Sequence, residues 1–222
     1  MKRAALTVLI ILIADQILKL FIKLNFEINE AVSLIPGAFE LRFIENPGMA
    51  WGLQLPDPWG KIALTLFRMV AVGVIYIYLK RTVKEGQHKG FITCVAMILA
   101  GAIGNIIDSL CYGVLFTQST ARQVATWAFG DAQGYAPVFK GEVVDMLHIT
   151  LHWPSWLNGI GLSGEIFPPI FNIADAAISI GVIWIIIRQR KYFRSKASDN
   201  EQDVKTESIE EVGQDEVINS AT

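Results

Sequence analysis

FNIADAAISIG, residues 171–181, is the stretch on which the reading of the chain turns. An apolar run able to enter a membrane opens here on an amide and an acid, Asn172 and Asp175, and continues to Ile187 before any cation appears. A carboxylate so close to hydrocarbon costs about 3 kcal/mol or more on insertion scales, so such groups face a bundle interior or a wet cavity. Asn172 lies three residues before Asp175, and on a helix the two share a face. Two readings stand at this point. One is a helix-start cap, which Asn and Asp both favour; the other is a polar site that uses both side chains. Further polar residues inside other apolar runs, each in need of a partner, favour the second.

The 222 residues are 52% hydrophobic, with mean hydropathy +0.41, which is high for a soluble domain. The apolar residues are clustered, and several runs approach the roughly 20 residues that span a bilayer. The net charge of -2 implies no partner by itself, because acids crowd the end of the chain while cations flank the apolar runs. No nucleic-acid partner is expected. Cys94 and Cys111 form no disulfide or metal framework and read as small apolar residues. No Ser-His or Cys-His arrangement and no phosphate loop stands out.

Four spans are expected, at about 4–24, 62–79, 91–110 and 169–187. In the first, Asp15 and Lys19 are four apart and can pair on one face. Asp15 stands roughly 16 Å beyond Ala4 along the helix, past the midplane. A buried ion pair that locks packing and a direct substrate contact remain equal readings. Residues 25–60 do not span, since Pro36, Pro47, Pro56 and Pro58 interrupt them. Within them FELRFI (39–44) alternates as a short strand, and ENPGMAWG (45–52) turns at Pro47 and Gly48. A small sheet on the membrane surface follows. Arg68 lies inside the second span. The third carries GAIGNIID (101–108), whose Gly101 and Gly104 permit close helix approach. Asn105 and Asp108 share a face there. The long segment 111–165 is rich in aromatics and holds EVVDMLHI (142–149) with Asp145. His148 and His152 are four apart but lack a third ligand of suitable spacing, so no metal centre is expected. Residues 1–196 form one membrane domain, and 197–222 are expected to be a disordered acidic cytoplasmic tail.

Lys and Arg concentrate before the first span, at 80–89 and at 188–196. The positive-inside rule then puts both termini in the cytoplasm and the segments 25–60 and 111–165 outside. Asp108, Asp145 and Asp175 converge on the outer side, with Asp15 toward it. Such acids can relay ions, bind a cation structurally, or share a proton and activate water. A transporter would need more spans or repeats with broken helices.

Five stretches, DQILK (15–19), ENPGMAWG (45–52), GAIGNIID (101–108), EVVDMLHI (142–149) and FNIADAAI (171–178), resemble in order the motifs of bacterial lipoprotein signal peptidase. This is the type II signal peptidase, an intramembrane aspartyl protease family, and the resemblance covers about residues 10–188. It implies an all-α membrane protein of four transmembrane helices, with an extracytoplasmic β-cradle and a short interfacial helix. It implies Asp145 and Asp175 as the catalytic pair, with Asn46, Gly48 and Ala50 helping to hold substrate. Asp15, Lys19, Gly104, Asn105, Asp108, Asn172 and Ala174 would support or line the site. No cofactor and no metal is implied. The substrate would be a prolipoprotein, cut just before a cysteine that carries diacylglycerol, by a monomer among the lipids of the bacterial inner membrane. A small polytopic transporter or ion-binding membrane protein using the same acids is the alternative. Two departures stand out. The family usually has Arg after the acid of the third-helix motif, where this chain has Ser109; Arg122 and Lys140 are candidates to replace it. The segment 114–141 is longer than usual and is expected to cover the site or bind a partner.

Overall fold

A computed structural model describes residues 1–47, 59–130, 132–156 and 163–192. Helix α1 (Lys2–Asn25), helix α2 (Trp59–Lys84) and the run Lys89–Leu115 are long and apolar enough to cross a bilayer. That run comprises α3 (Lys89–Ile107), a π-helical turn at Asp108–Tyr112, and the short α4 (Gly113–Leu115). A further helix, α5, covers 173–192. The strands β1 (Ala31–Ile35), β2 (Phe39–Asn46), β3 (Val143–His152) and β4 (Glu165–Phe171) form one antiparallel sheet in that order. Both the helical bundle and the small sheet match expectation. Among the described residues no separate interfacial helix is found. Gly48, Ala50 and the acidic tail lie outside the described residues.

The helices are turned so that apolar faces point outward. On α1, Leu6, Ile10, Ile13, Ile17 and Phe21 are exposed at helical spacing, while Asp15, Lys19 and Ile22 are buried on the other face. On α2, Phe67, Val70, Val74 and Ile77 are exposed, and on α5 Ile180, Ile183 and Ile187. This arrangement suits hydrocarbon outside and a polar seam inside. Two apolar clusters bracket that seam. One joins Ala4, Leu79, Phe91, Val95, Leu99 and Tyr192 at one end of the bundle. The other lies under the sheet and joins Ile22, Phe26, Phe43, Tyr112, Phe116, Val144 and Met146.

The expected fourth span begins too early. Residues 169–171 belong to β4, and the helix starts only at 173. The run FPPIF is apolar enough to be read as the head of the span, but its prolines cannot donate to a ladder and sit on an edge strand. The strand thus runs straight into the helix, and the junction is Asn172.

Helices α3 and α5 touch backbone to backbone. A Cβ at Gly101 would run into the carbonyl of Ala174, and one at Gly104 would stand 2.8 Å from the Asp15 carboxylate and 3.2 Å from Ala174 Cβ. The small residues of the third-helix motif are therefore a packing requirement. Gly101→Ala should push the start of α5 away from α3. The expected outcome is a lower unfolding temperature and at least about tenfold less activity in the purified protein, the scale of a lost close packing contact.

None of the described residues of 114–141 lines the cleft described below. Phe116 and Ala125 fill the cluster under the sheet, and the amide of Ile28 donates to the carbonyl of Thr120. Ser119 accepts from Lys23 at 2.8 Å, and the Tyr135 ring stacks 4.7 Å from the same ammonium, which also pairs with Glu45. The segment buttresses the C-terminal end of α1 and the sheet beside it.

Candidate active site

Asp145 lies on β3 opposite Ile44 of β2, and its diagonal neighbour on that strand is Asn46. Asn46 Nδ2 donates to Asp145 Oδ2 at 3.1 Å, and Asn172 Nδ2 donates to Asp145 Oδ1 at 2.7 Å. Asn172 also caps α5, since its Oδ1 accepts from the amide of Asp175 at 2.8 Å. Capping and site-building are thus one device: a single buried amide orients one acid by its nitrogen and starts the helix of the other by its oxygen. Asn172 and Asp175, expected to share a helix face, thus meet through the side chain of one and the backbone amide of the other. The carboxylate of Asp175 is held instead by Asn105, whose Nδ2 donates to Oδ1 at 2.8 Å. Asn105 Oδ1 in turn accepts from Lys19 at 3.0 Å and from Asn172 at 3.1 Å.

Lys19 sits at the centre of the support. It lies 2.9 Å from Asp15 and 2.7 Å from Asp108, with all three side chains buried. The two acids then reach outward to backbone amides. Asp15 Oδ1 accepts from the amide of Ala174 at 2.9 Å, and Asp108 Oδ2 from the amide of Val144 at 3.3 Å. Each therefore grips the residue immediately before one of the two cleft acids. Ala174 is in the first turn of α5, where amides lack intrahelical partners and an acid is favoured. Gln16 adds a donor to Asp108 at 3.0 Å and accepts from the Tyr112 hydroxyl at 3.2 Å. Gly104 contributes its lack of a side chain, beside Asp15 and Ala174.

Asp145 and Asp175 line the same cleft, of about 400 Å³, with Asn46, Arg68, Asn105 and Ser179 as its other polar residues. Phe167, Pro169, Ile170, Phe171 and Ile178 make its apolar wall. The Asp145 carboxyl is pushed up to about 7, first by burial and next by the neighbouring charge of Asp175. Bonds from Asn46 and Asn172 and the charge of Lys19 oppose the rise. A buried acid beside a second acid, in a cleft with one polar and one apolar wall, suits proton transfer to and from a bound molecule.

His148 and His152 do not converge. His148 bridges Glu40 at 2.9 Å and Glu165 at 3.2 Å, across the sheet, while His152 Nδ1 bonds the carbonyl of Thr150. Among the described residues neither Arg122 nor Lys140 lines the cleft. The cation there is Arg68 of α2, which spacing alone did not single out. The available signal was a lone arginine in an apolar span, which is expensive unless it faces a polar interior.

Residues 7–191 match the family model described as signal peptidase (SPase) II. The chain is similar to the lipoprotein signal peptidase of Porphyromonas gingivalis, 39% identical over 193 residues, covering 84% of this chain and 82% of that protein. It is also similar to the lipoprotein signal peptidase of Amoebophilus asiaticus, 31% identical over 210 residues, covering 87% and 83%. Among solved structures, one of a bacterial membrane enzyme obtained by the in meso method superposes with a TM-score of 0.58 at 24% identity, covering 86% of this chain and 89% of that one. A second of the same description gives 0.56 at 26%, covering 85% and 93%. A family match that spans residues 7–191, with relatives 39% and 31% identical over most of their length, leaves one assignment: the chain belongs to the signal peptidase II family.

Proposed function

We infer that this protein is an aspartic endopeptidase that removes the signal peptide of lipid-modified prolipoproteins, and that Asp145 and Asp175 share one proton to do so. The observation that carries this reading is the pair of acids on one cleft, tied through Asn172. Asp145 holds the proton, since burial and Asp175 both disfavour its charged form. Asp175 is the base. It lies in the first turn of α5, where the helix dipole favours negative charge, and accepts from Asn105. A water between them attacks the scissile carbonyl while Asp175 takes its proton and Asp145 protonates the carbonyl oxygen. Collapse of the tetrahedral intermediate passes a proton to the departing amine.

The apolar wall of the cleft suits a substrate held by an acyl chain. A diacylglyceryl group would keep the bond before its cysteine at the depth of the dyad. All four long helices cross the membrane in this reading. The cations at Lys80, Arg81 and Lys84 and at Arg188, Arg190 and Lys191 then hold one membrane side and the cleft the other. Both termini are cytoplasmic, the cleft is extracytoplasmic, and the enzyme works as a monomer in the bacterial inner membrane. No metal or cofactor takes part.

Gel-shift cleavage of a diacylglyceryl precursor by purified protein, with a chelator present, tests the function. Cleavage is expected to proceed undiminished. No cleavage of the lipidated precursor, or loss to the chelator alone, would remove this reading in favour of ion transport or a metal centre.

The rate should fall on the alkaline side as the shared proton is lost, with an apparent value near 7 that belongs to the pair. Asn46→Ala removes a bond that stabilises the charged form of Asp145. The carboxyl then keeps its proton to higher pH, so the alkaline limb should move up. A limb that moves down, or stays, in a pH–rate profile would show that Asp145 does not set it.

A further inference from the structure

We propose that Arg68 is the substrate-positioning cation of this enzyme, supplied by α2 where the family pattern would supply it from the residue at 109. The inference rests on the peptidase reading above. Arg68 lines the cleft beside Asp145, Asp175 and Asn105. Its Nη1 donates to Ser109 Oγ at 3.3 Å, and that hydroxyl donates to the carbonyl of Asn105 at 3.0 Å. Ser109 is itself buried. The serine at the departing position is therefore the buttress of an arginine that arrives from another helix.

The chemistry names the ligand. A half-buried guanidinium carries five donors in a planar fork and has no acceptor capacity. One donor goes to Ser109, and the side chain lines the cleft. The diacylglyceryl cysteine region of the substrate offers acceptors that match it: peptide carbonyls on either side of the scissile bond and ester carbonyls of the lipid. Arg68 donates to one of these carbonyls and aligns the bond with the dyad. It takes no proton from substrate and gives none, so its effect falls on binding.

The experiment measures KM and kcat for a diacylglyceryl precursor peptide in the full-length purified protein and its variants. Arg68→Gln should raise KM about 10- to 100-fold, the scale of one charge-assisted hydrogen bond, with kcat changed less. Arg68→Lys, which keeps the charge but loses the fork, should fall between. Ser109→Arg placed on Arg68→Gln should recover most of the loss, because it returns the cation from α3. Direct binding of the same peptide to Asp175→Asn, with and without Arg68→Gln, gives a readout free of turnover and should weaken by the same factor. An unchanged KM in Arg68→Gln, or a loss confined to kcat, overturns the proposal. So does equal damage in Lys and Gln variants together with a lowered unfolding temperature, which would make Arg68 a packing residue. If Arg68→Gln does not accumulate, Arg68→Lys decides in its place: KM must rise while the unfolding temperature holds. Wild-type protein that fails to cut the precursor at all would count against the peptidase reading, whereas a working wild type with an indifferent Arg68 counts against this inference alone.

Discussion

Asp145→Asn and Asp175→Asn should each leave less than about one thousandth of wild-type cleavage, the range lost with an essential acid or base. Both variants should still fold and bind the lipidated precursor. Asparagine keeps the shape of the side chain and its acceptor oxygen, so the bonds from Asn172 to Asp145 and from Asn105 to Asp175 can persist through that oxygen. What it cannot do is exchange a proton. In Asp145→Asn no acid protonates the scissile carbonyl; in Asp175→Asn no base accepts the proton of water. Asp108→Asn should be damaging without being null, because Asp108 grips the amide of Val144 and does not line the cleft. Residual activity above a few per cent in either dyad variant, in protein shown to be folded, would move the chemistry elsewhere.

Lys19→Met is expected to have the largest effect on the fold. The lysine is fully buried between Asp15 and Asp108, and it donates to Asn105 as well. Removing it leaves two buried carboxylates facing each other. Breaking a buried ion pair by deleting one partner costs about 3–5 kcal/mol. For a chain of this size that lowers the unfolding temperature by on the order of 10 °C. Activity should fall with stability, since the same two acids hold the amides of Ala174 and Val144 and so set the separation of the dyad. Asp15→Asn should do the same to a smaller degree, because an amide oxygen can still accept from Ala174. Scanning calorimetry of purified variants beside the cleavage assay checks both. Full stability with abolished cleavage would place this ion triad in the chemistry itself.

The pairing of Asp15 with Lys19 was the most readable part of the site. A charge inside an apolar run needs a partner, and a spacing of four puts Asp15 and Lys19 on one face. The further reach of Asp15 and Asp108 to backbone amides of α5 and β3 was not readable. Those bonds join residues far apart in the chain, and they depend on where a strand ends and a helix begins. The junction at Asn172 shows the difficulty. Five apolar residues precede it, and their hydropathy merges with that of α5. Only pairing with β3, at Leu147 opposite Phe171, makes them a strand. Arg68 was hidden for another reason. Helix α2 is apolar almost all round, so periodicity assigns it no inner face; the cleft on one side of it decides which way the arginine turns. The segment 114–141 held no motif to guide its reading. Its role is carried by Ser119, Tyr135 and Phe116, ordinary residues that matter because Lys23 and Glu45 lie beneath them.

The sharing of one proton between Asp145 and Asp175 is tested most directly by titrating the Asp145 carboxyl, with a site-resolved carbon-13 or infrared signal, in wild-type protein and in Asp175→Asn. The proposal requires a midpoint of about 7 in the wild type and a clear fall in the variant, because the neighbouring negative charge that helps raise it is gone. A wild-type midpoint in the ordinary carboxylate range near 4, or a midpoint indifferent to the loss of Asp175, would contradict it.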